Sequence, residues 1–307
     1  MSSPRANTIA ILGPRGWVAS AVISALAATP SHIKAIYRQG SSPGDLPSSV
    51  EGIEVDWADE SAFLAALQGV VIVLSLVGQA GLAEQLRLVP MLRRASISLF
   101  IPSDFAYVHT KEDDKIPVIH NKEVLATALN EAGVPMLTVL AGNFAEFALN
   151  TPRIGVDMIN NRIVHTGHTD TQRINLCTRA YVAAALAALL PSTPSDKLKG
   201  RTIGLNEFSP TGAEIASAME RRSGAPPRVA RATDERSLRL IDKGSPWALA
   251  ESVKLKWSRG EHSVGEDMYD VKGYSKVGLE ELVVKGQLVK YRPLPFDFAT
   301  VLDEYFE

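Results

Sequence analysis

The sequence lacks the features that mark several classes of protein. Its 307 residues include one cysteine, Cys177, so neither an intrachain disulfide nor a cysteine-rich metal site can form. Its formal net charge of −2 leaves no excess of positive charge for binding nucleic acid. No apolar run reaches membrane-spanning length, and the polar start lacks the pattern of a signal peptide. We therefore expect a cytoplasmic protein that binds neither nucleic acid nor membranes, with Cys177 as a small buried apolar group.

Two catalytic classes are also disfavoured by absent motifs. The sequence GxSxG is missing, which argues against a serine hydrolase of the α/β class. His165 and His168 stand three residues apart in "HTGHTDTQR", but no third ligand accompanies them at a suitable spacing. We expect no metal and interpret this stretch as a loop beside the substrate pocket. His120 is either a structural residue or a second proton carrier.

The first half of the chain alternates apolar runs with helical periods. Continuous runs such as "VVIVLSL" are typical of parallel strands buried on both faces. The predicted strands cover 8–12, 33–37, 53–55, 70–76, 98–101 and 136–140. The predicted helices cover 17–28, 61–68, 80–95 and 121–132. This alternation favours an α/β protein with a Rossmann-like, doubly wound parallel sheet.

The rhythm weakens in the second half. We predict a dinucleotide-binding domain over 1–150 and a smaller substrate-binding region over 151–307. Within the second region, 174–205 is apolar enough to return to the main sheet, so we expect it to pack with the first domain. Helices are expected in "GAEIASAMERRSG" and in the terminal "FDFATVLDEYFE". The segment 247–276, with Trp247, Trp257, Tyr269 and Tyr274, is either a mobile lid that contacts an aromatic substrate or an irregular cap.

A glycine-rich turn follows the first predicted strand. In "GPRGWVA", Gly13, Gly16 and Ala19 form a GxxGxxA pattern, in which glycine permits a tight turn and lets backbone N–H groups approach a pyrophosphate. An ordinary strand-to-helix turn that needs glycine for its geometry is the alternative. Since the turn opens a βαβ series, we predict a dinucleotide site here, with Gly13, Arg15, Gly16 and Trp17 among its contacts.

The end of the second strand indicates which dinucleotide. A site selective for NAD places an acid about 20 residues beyond the glycine turn, whereas this sequence has Tyr37 followed by Arg38. A guanidinium can hold a 2′-phosphate through two hydrogen bonds, and Arg15 adds a second positive charge. The pattern favours NADPH. The alternative is that both arginines are solvated surface residues.

Four stretches together carry a resemblance to a known family. They are "GPRGWVA", "VVIVLSLVG", "LFIPSDF" and "NKEVLATALNEAGVPMLTVLAGNF". The chain resembles the NmrA-like, isoflavone-reductase-like group of atypical short-chain dehydrogenases over most of its length. It departs from the family pattern at Asp104, where Glu is commoner, and at Ala19, which replaces the third glycine.

The resemblance implies an NADPH-binding fold whose reductase members act on phenolic or other aromatic metabolites. It places Lys122 beside the nicotinamide ribose, where this lysine assists proton transfer. Ordinary short-chain dehydrogenases have a catalytic tyrosine four residues earlier, where this chain has Val118. The resemblance also places Asn143 and Phe144 in the loop that closes over the nicotinamide.

Further cofactor contacts follow from the predicted sheet. Residues at the carboxyl ends of parallel strands line the ligand crevice of a doubly wound fold. The expected contacts at the fourth and fifth strands are Ser75, Val77, Gly78, Pro102 and Ser103.

Three functions remain open at this stage. The favoured one is an NADPH-dependent reductase of an aromatic or conjugated small molecule. The sequence leaves its oligomeric state open, with a homodimer as one option. The second is a redox-neutral isomerase, cyclase or rearrangement enzyme, which the missing tyrosine makes more credible. The third is a regulator that senses NADP(H) without turnover. Fold alone does not separate them, but retention of Lys122 favours catalysis.

Overall fold

A central parallel sheet organises the molecule. The computed structural model describes residues 7–292 and 302–307. The five strands of the sheet run in the order β3-β2-β1-β4-β5. They are β1 (Ile9–Leu12), β2 (Ile33–Arg38), β3 (Val50–Val55), β4 (Ile72–Ser75) and β5 (Leu99–Ile101). A bridge from Phe100 to Met136 continues the sheet to β6 (Leu137–Leu140), which pairs in parallel with β11 (Arg201–Gly204). The predicted α/β fold with a doubly wound parallel sheet is confirmed.

Alternating side chains of β1 enter the cores on the two faces of the sheet. Ile9 and Ile11 pack in one core with α1 (Trp17–Ala27) and α6 (Arg179–Leu189). Ala10 and Leu12 pack in the other, with α2 (Glu60–Ala66), α3 (Val89–Arg94) and α4 (Pro117–Glu131). All four residues are fully buried, as a strand covered by helices on both faces requires. The strand order reverses between β1 and β4, which places a ligand crevice at their carboxyl ends.

Proline accounts for the largest differences from the predicted helices. The helix predicted over 80–95 is two short 3-10 segments, Gln79–Gly81 and Ala83–Leu88, followed by α3. Pro90 lies in the first turn of α3, where its missing N–H costs no hydrogen bond. The helix predicted from residue 121 begins at Pro117 instead, because Ile116 before the proline is extended.

A second core lies beneath the later part of the chain. It combines α4 residues with α5 (Ala145–Asn150), α7 (Gly212–Ser223), α8 (Asp234–Asp242) and α9 (Ala248–Arg259). One residue each comes from β8 (Val156–Asp157), β9 (Arg162–Thr166) and β10 (Leu176–Cys177). Strand β7 (Asn143–Phe144) pairs with β10, and β12 (Arg228–Ala232) pairs with β9. A π-helical turn, Glu280–Val284, packs there as well.

Segment 174–205 packs with the first half of the chain. Strand β10 pairs with β7, β11 pairs with β6, and α6 shares a core with α1. Cys177 is buried as expected, and burial raises the pKa of its thiol to about 12. The division of the chain into domains at residue 150 stays a prediction.

Two expectations for the later segments need correction. His165 is not in an exposed loop: it lies in β9 and is buried, because β9 is covered by its partners β8 and β12 and by the second core. Segment 247–276 begins with the buried helix α9, in which the fully buried Trp257 donates its indole N–H to the carbonyl of Gln172 at 2.7 Å. Much of the terminal predicted helix falls on 293–301, outside the described residues. None of the described helices has the length and apolar character needed to cross a bilayer.

The packing of α1 generates a stability prediction. Leu26 is fully buried between α1 and the sheet. Leu26→Ala should lower the free energy of unfolding by about 2–5 kcal/mol, because a cavity replaces the lost side chain. Urea denaturation followed by circular dichroism measures the change. The control is Ile159→Ala, whose side chain is 87% exposed, and which should change stability by less than about 0.5 kcal/mol. Equal loss in both variants would contradict the packing argument.

Candidate functional site

A large cavity opens at the carboxyl ends of β1 and β4. Its volume is about 960 Å³, and its walls come from the turn before α1, the loops after β4 and β5, α4, α5 and α9. Most of the site residues predicted from the sequence meet there. They are Gly13, Arg15, Gly16, Trp17, Arg38, Val77, Gly78, Ser103, Lys122, Asn143 and Phe144.

Two glycines of the turn lie close to the backbone at the end of β4. Gly13 has φ +77°, and a Cβ there would lie 3.0 Å from the Val77 backbone. A Cβ at Gly16 would lie 3.3 Å from the carbonyl oxygen of Leu76. No side chain caps α1 at Gly16, so the first N–H groups of the helix are not satisfied by a cap. This geometry fits a phosphate group, which the positive end of the helix favours.

Arg38 is at the outer end of the cavity with an aromatic neighbour. Its guanidinium pairs with Glu84 and lies 5.6 Å from the ring centroid of Trp57. Both members of the pair are about half exposed, at 52% and 48%, so the ion pair is worth little and a competing anion can displace it. Arg15 is exposed nearby and has no carboxylate partner within 7–292 and 302–307.

The lining of the cavity is strongly biased in charge. Among the lining residues within 7–292 and 302–307, Asp104 is the only carboxylate, against five cations: Arg15, Arg38, Lys122, Arg153 and Arg292. The whole chain has a net charge of −2. The positive potential is therefore local, and it suits a ligand that carries several negative charges.

Two predicted contacts fall outside this cavity. Ser75 is fully buried, and its hydroxyl donates to Oε1 of Gln85 at 2.6 Å instead of facing a ligand. Ser75 therefore supports the turn after β4, where its Oγ is 3.4 Å from the backbone nitrogen of Val77. Pro102 lines a smaller adjoining cavity of about 240 Å³, which also contacts Ser103 and Lys122. Ser75 and Pro102 therefore do not line the main cavity, contrary to the prediction.

Lys122 is held by Asp104, the residue at which the chain departs from the family pattern. Its Nζ donates to the Asp104 carboxylate at 2.9 Å and to the Asp104 carbonyl at 2.8 Å. Both side chains are largely buried, at 16% and 14% exposure. An ammonium has three N–H donors, so two are engaged and the third is available to a ligand in the cavity.

His109 and Glu123 extend this ion pair toward the surface. His109 Nε2 lies 3.6 Å from the same oxygen of Asp104 that pairs with Lys122, and His109 Nδ1 is 2.7 Å from Glu123 Oε1. The imidazole side chain is 8% exposed, whereas Glu123 is 48% exposed. His109 Nε2 is too far from Asp104 for a hydrogen bond, so Lys122 is oriented by its own two bonds to Asp104.

Tyr107 is a cavity residue that the sequence reasoning missed. Its hydroxyl lies 3.1 Å from Ser252 Oγ, and Ser252 in turn donates to Asp113 at 2.7 Å. Lys256 Nζ is 3.0 Å from the other oxygen of Asp113. Burial, together with the charge of Asp113, raises the pKa of Tyr107, which makes its hydroxyl a poorer acid. The sequence signal that could have identified Tyr107 as a cavity residue was its position shortly after β5.

Asn143 and His262 form a buried pair beneath the cavity. Nδ2 of Asn143 donates to Nε2 of His262 at 2.7 Å, so the remaining proton of a neutral imidazole is on Nδ1. Burial lowers the pKa of His262 to about 4. Phe144, next in the chain, packs edge-on against Trp17 with 5.8 Å between the ring centroids. This arrangement fixes the loop after β6 beside the glycine turn.

The far wall of the cavity is aromatic, and apart from Trp17 its residues were missed. Trp17 and Phe147 each lie with ring centroids 4.8 Å from Tyr291, and the guanidinium of Arg153 is 4.9 Å from the Phe147 ring. Phe147, Arg153 and Tyr291 follow no motif in the sequence, because α5 and Tyr291 meet only in the folded structure.

The three histidines singled out in the sequence take no part in the cavity as described. His120 and His168 are exposed, and His165 is buried in β9. None of the three is among the residues that line the cavity within the described chain. A second proton carrier at His120 therefore has no support from geometry.

Comparison with known proteins identifies the family of the chain. A model of the NmrA-like family matches residues 5–281. The chain belongs to the NmrA-like family. The resemblance recognised in the sequence is thereby confirmed, and the match extends beyond the first half of the chain into the later segments.

Relatives and solved structures agree with this placement. An isoflavone reductase homolog from Zea mays is 26% identical over 163 residues, 48% of this chain and 52% of the relative. The chain thus spans about half the length of the curated relatives it matches. The structure of isoflavone reductase has a TM-score of 0.76 at 17% identity and covers 91% of this chain and 99% of its own. AtPrR2 with NADP+ and (+)-pinoresinol has a TM-score of 0.74 at 15% identity, over 92% and 99%. At these identities the structural likeness shows the fold alone.

The buried imidazole of His262 predicts a pH dependence of stability. Its pKa is about 4 in the folded protein against an ordinary value of 6.5, so the unfolded chain binds the proton more tightly. Stability is therefore lost as pH falls from about 6.5 toward 4, by about 2 kcal/mol at pH 5 from this group. Thermal melts between pH 7 and pH 5 should show a smaller loss for His262→Gln, which keeps an acceptor for Asn143, than for the native protein.

The matched control is His168→Gln, because His168 is exposed. This variant should keep the pH dependence of the native protein. An identical pH dependence in native protein and His262→Gln would contradict the neutral, desolvated imidazole.

Proposed function

We propose that this protein is an NADPH-dependent reductase of an aromatic or conjugated small molecule, with Lys122 as the proton donor. The observation that carries the proposal is one continuous cavity that joins the glycine turn, Lys122 and an aromatic wall. Membership of the NmrA-like family supports it. So do a relative named as an isoflavone reductase homolog and a neighbour of the same fold that holds NADP+ and (+)-pinoresinol.

The residues present fit the cofactor. The turn from Gly13 to Trp17 offers unsatisfied N–H groups at a backbone too closely packed for side chains, which suits a pyrophosphate. Arg38 and Arg15 supply the positive charge for a 2′-phosphate, and no acid replaces them at the end of β2. When bound, NADPH supplies the hydride, while the protein supplies position and charge.

Lys122 is the group best placed to deliver the proton. Two of its donors are fixed on Asp104, so the third points its proton in a defined direction. The position of the usual catalytic tyrosine holds Val118, which is apolar and lines the same cavity. The raised pKa of Tyr107 makes that hydroxyl a weaker proton donor. Asp104 acts as a positioning residue for Lys122.

The loop after β6 excludes water from the site. Phe144 is half-buried against Trp17, and Phe147 lies behind it on α5. A wall of rings keeps water from the transferred hydride and offers stacking surface to a flat substrate. The same wall favours aromatic or conjugated substrates over aliphatic ones.

A single-turnover experiment tests the proposal. Protein loaded with stoichiometric NADPH is mixed with a panel of conjugated aromatic carbonyl compounds, and the absorbance of the reduced nicotinamide is followed alongside mass spectrometry. We expect loss of that absorbance matched by a product heavier by two hydrogens. Conversion at unchanged mass and absorbance would identify a redox-neutral enzyme instead, and tight NADPH binding without any conversion would identify a sensor.

The role of Lys122 is tested in the same assay. Lys122→Met should slow the hydride step by about 10²–10⁴-fold while NADPH still binds within about threefold. Lys115→Met serves as the matched control, because Lys115 is 61% exposed and pairs with Asp242 outside the cavity. Full turnover in Lys122→Met with NADPH bound would remove Lys122 from the mechanism.

Cofactor choice provides a second test. Arg38→Glu should weaken NADPH binding by about 10–100-fold, because a charge-assisted contact becomes a repulsion, and should leave NADH binding within about threefold. Glu84→Gln should act in the opposite direction and strengthen NADPH binding slightly, since it frees Arg38 from its ion pair. Dissociation constants from nicotinamide fluorescence decide the matter. Equal losses for both cofactors in Arg38→Glu would contradict the assignment.

A further inference from the structure

Arg153 is an enclosed cation that the proposed mechanism does not use. It follows α5 and lines the cavity together with Ile154, Leu249 and Val253, all apolar. Its guanidinium lies 4.9 Å from the ring centroid of Phe147. Enclosure in this setting lowers the pKa of Arg153 to about 10, which still leaves the group charged at neutral pH.

Arg153 is half-buried and has no counter-ion among the described residues. It makes no ion pair there, and the groups that favour its charge are only the hydroxyls of Tyr107 and Tyr291. Lys122 and Arg38, by contrast, each pair with a carboxylate. A cation beside apolar side chains is partly desolvated, so an anion that pairs with it there stabilises it. The cavity onto which Arg153 opens can admit such an anion as part of a ligand.

The position of Arg153 separates it from the cofactor's phosphates. Trp17 begins α1 at the glycine turn, Tyr291 packs on Trp17, Phe147 packs on Tyr291, and Arg153 lies against Phe147. Arg153 is thus linked to the phosphate-binding turn only through Phe147, Tyr291 and Trp17, and its other neighbours in the cavity wall are the apolar Ile154, Leu249 and Val253. We assign this part of the wall to the substrate.

We propose that Arg153 binds a carboxylate of the substrate, so that this protein acts on aromatic or conjugated carboxylic acids. The inference rests on the proposed reductase function and specifies its substrate class. A guanidinium matches a carboxylate through two parallel hydrogen bonds. The rings of Phe147 and Tyr291 beside it offer faces for the aromatic part of the same molecule. The acid group would thereby fix which carbon of the substrate faces the hydride.

The test compares an acid with its neutral analogue of the same shape. Binding of cinnamate and of cinnamamide to the NADPH-loaded protein is measured by calorimetry. We expect cinnamate to bind at least about tenfold more tightly, the effect of one buried charge-assisted pair. Arg153→Gln should reduce this ratio to within about twofold, and Arg153→Lys, which keeps the charge without the fork, should retain part of it. Arg173→Gln, at an exposed arginine paired with Glu214, is the control and should keep the native ratio.

The dissociation constant of NADPH is measured on every variant, so that folding and the cofactor site are monitored separately. Cinnamate and cinnamamide binding equally to native protein, or neither binding, would overturn the proposal, as would a native ratio in Arg153→Gln. A loss of NADPH affinity in Arg153→Gln would overturn it too, by assigning Arg153 to the cofactor. Failure of the native protein to bind NADPH at all would instead count against the proposed function.

Discussion

The close approach of Gly13 to Val77 is the constraint on which the site depends. The backbone leaves β1 in a left-handed conformation that favours glycine, and it passes the start of the loop after β4 at a distance that a side chain would block. This contact brings the amino end of α1 to the point where the strand order reverses. The cavity forms around that point, and α4, α5, α9 and the loops after β4, β5 and β6 add to its walls.

Charge is distributed to match this geometry. The chain is slightly acidic as a whole, yet the described residues that line the cavity include five cations and one carboxylate. That carboxylate, Asp104, is already committed to Lys122, and Arg38 is committed only weakly to an exposed Glu84. The cations therefore differ in availability: Arg38 can exchange partners, Lys122 is oriented by its partner, and Arg153 has none among the described residues.

Local patterns predict the features that neighbouring residues decide. The strand-and-helix alternation and the glycine turn could be inferred from the sequence, because each depends on residues within about one βαβ unit. Lys122 was singled out only by the resemblance to a family, since its local pattern alone is that of a solvated lysine on an amphipathic helix. The partners of Lys122 and Ser75 could not be inferred. Asp104 is 18 residues from Lys122 and Gln85 is 10 residues from Ser75 along the chain, and only the sheet brings them together. The helix expected over 80–95 failed for a different reason, since Pro90 confines the α-helical part to α3.

The polar groups around the cavity are arranged so that few donors remain for a ligand. Asn143 is bonded to His262, Tyr107 lies against Ser252, and Asp113 is held by Lys256 and Ser252. These hydrogen bonds fix the side chains that make them, and they leave other donors around the cavity free to meet a ligand. The third donor of Lys122, the guanidinium of Arg153 and the first N–H groups of α1 are such donors. A molecule that satisfies all three places needs phosphates at one end, an acceptor at the centre and an anion at the far end. Under the proposed function, the cofactor would supply the phosphates, and a separate substrate would supply the acceptor and the anion.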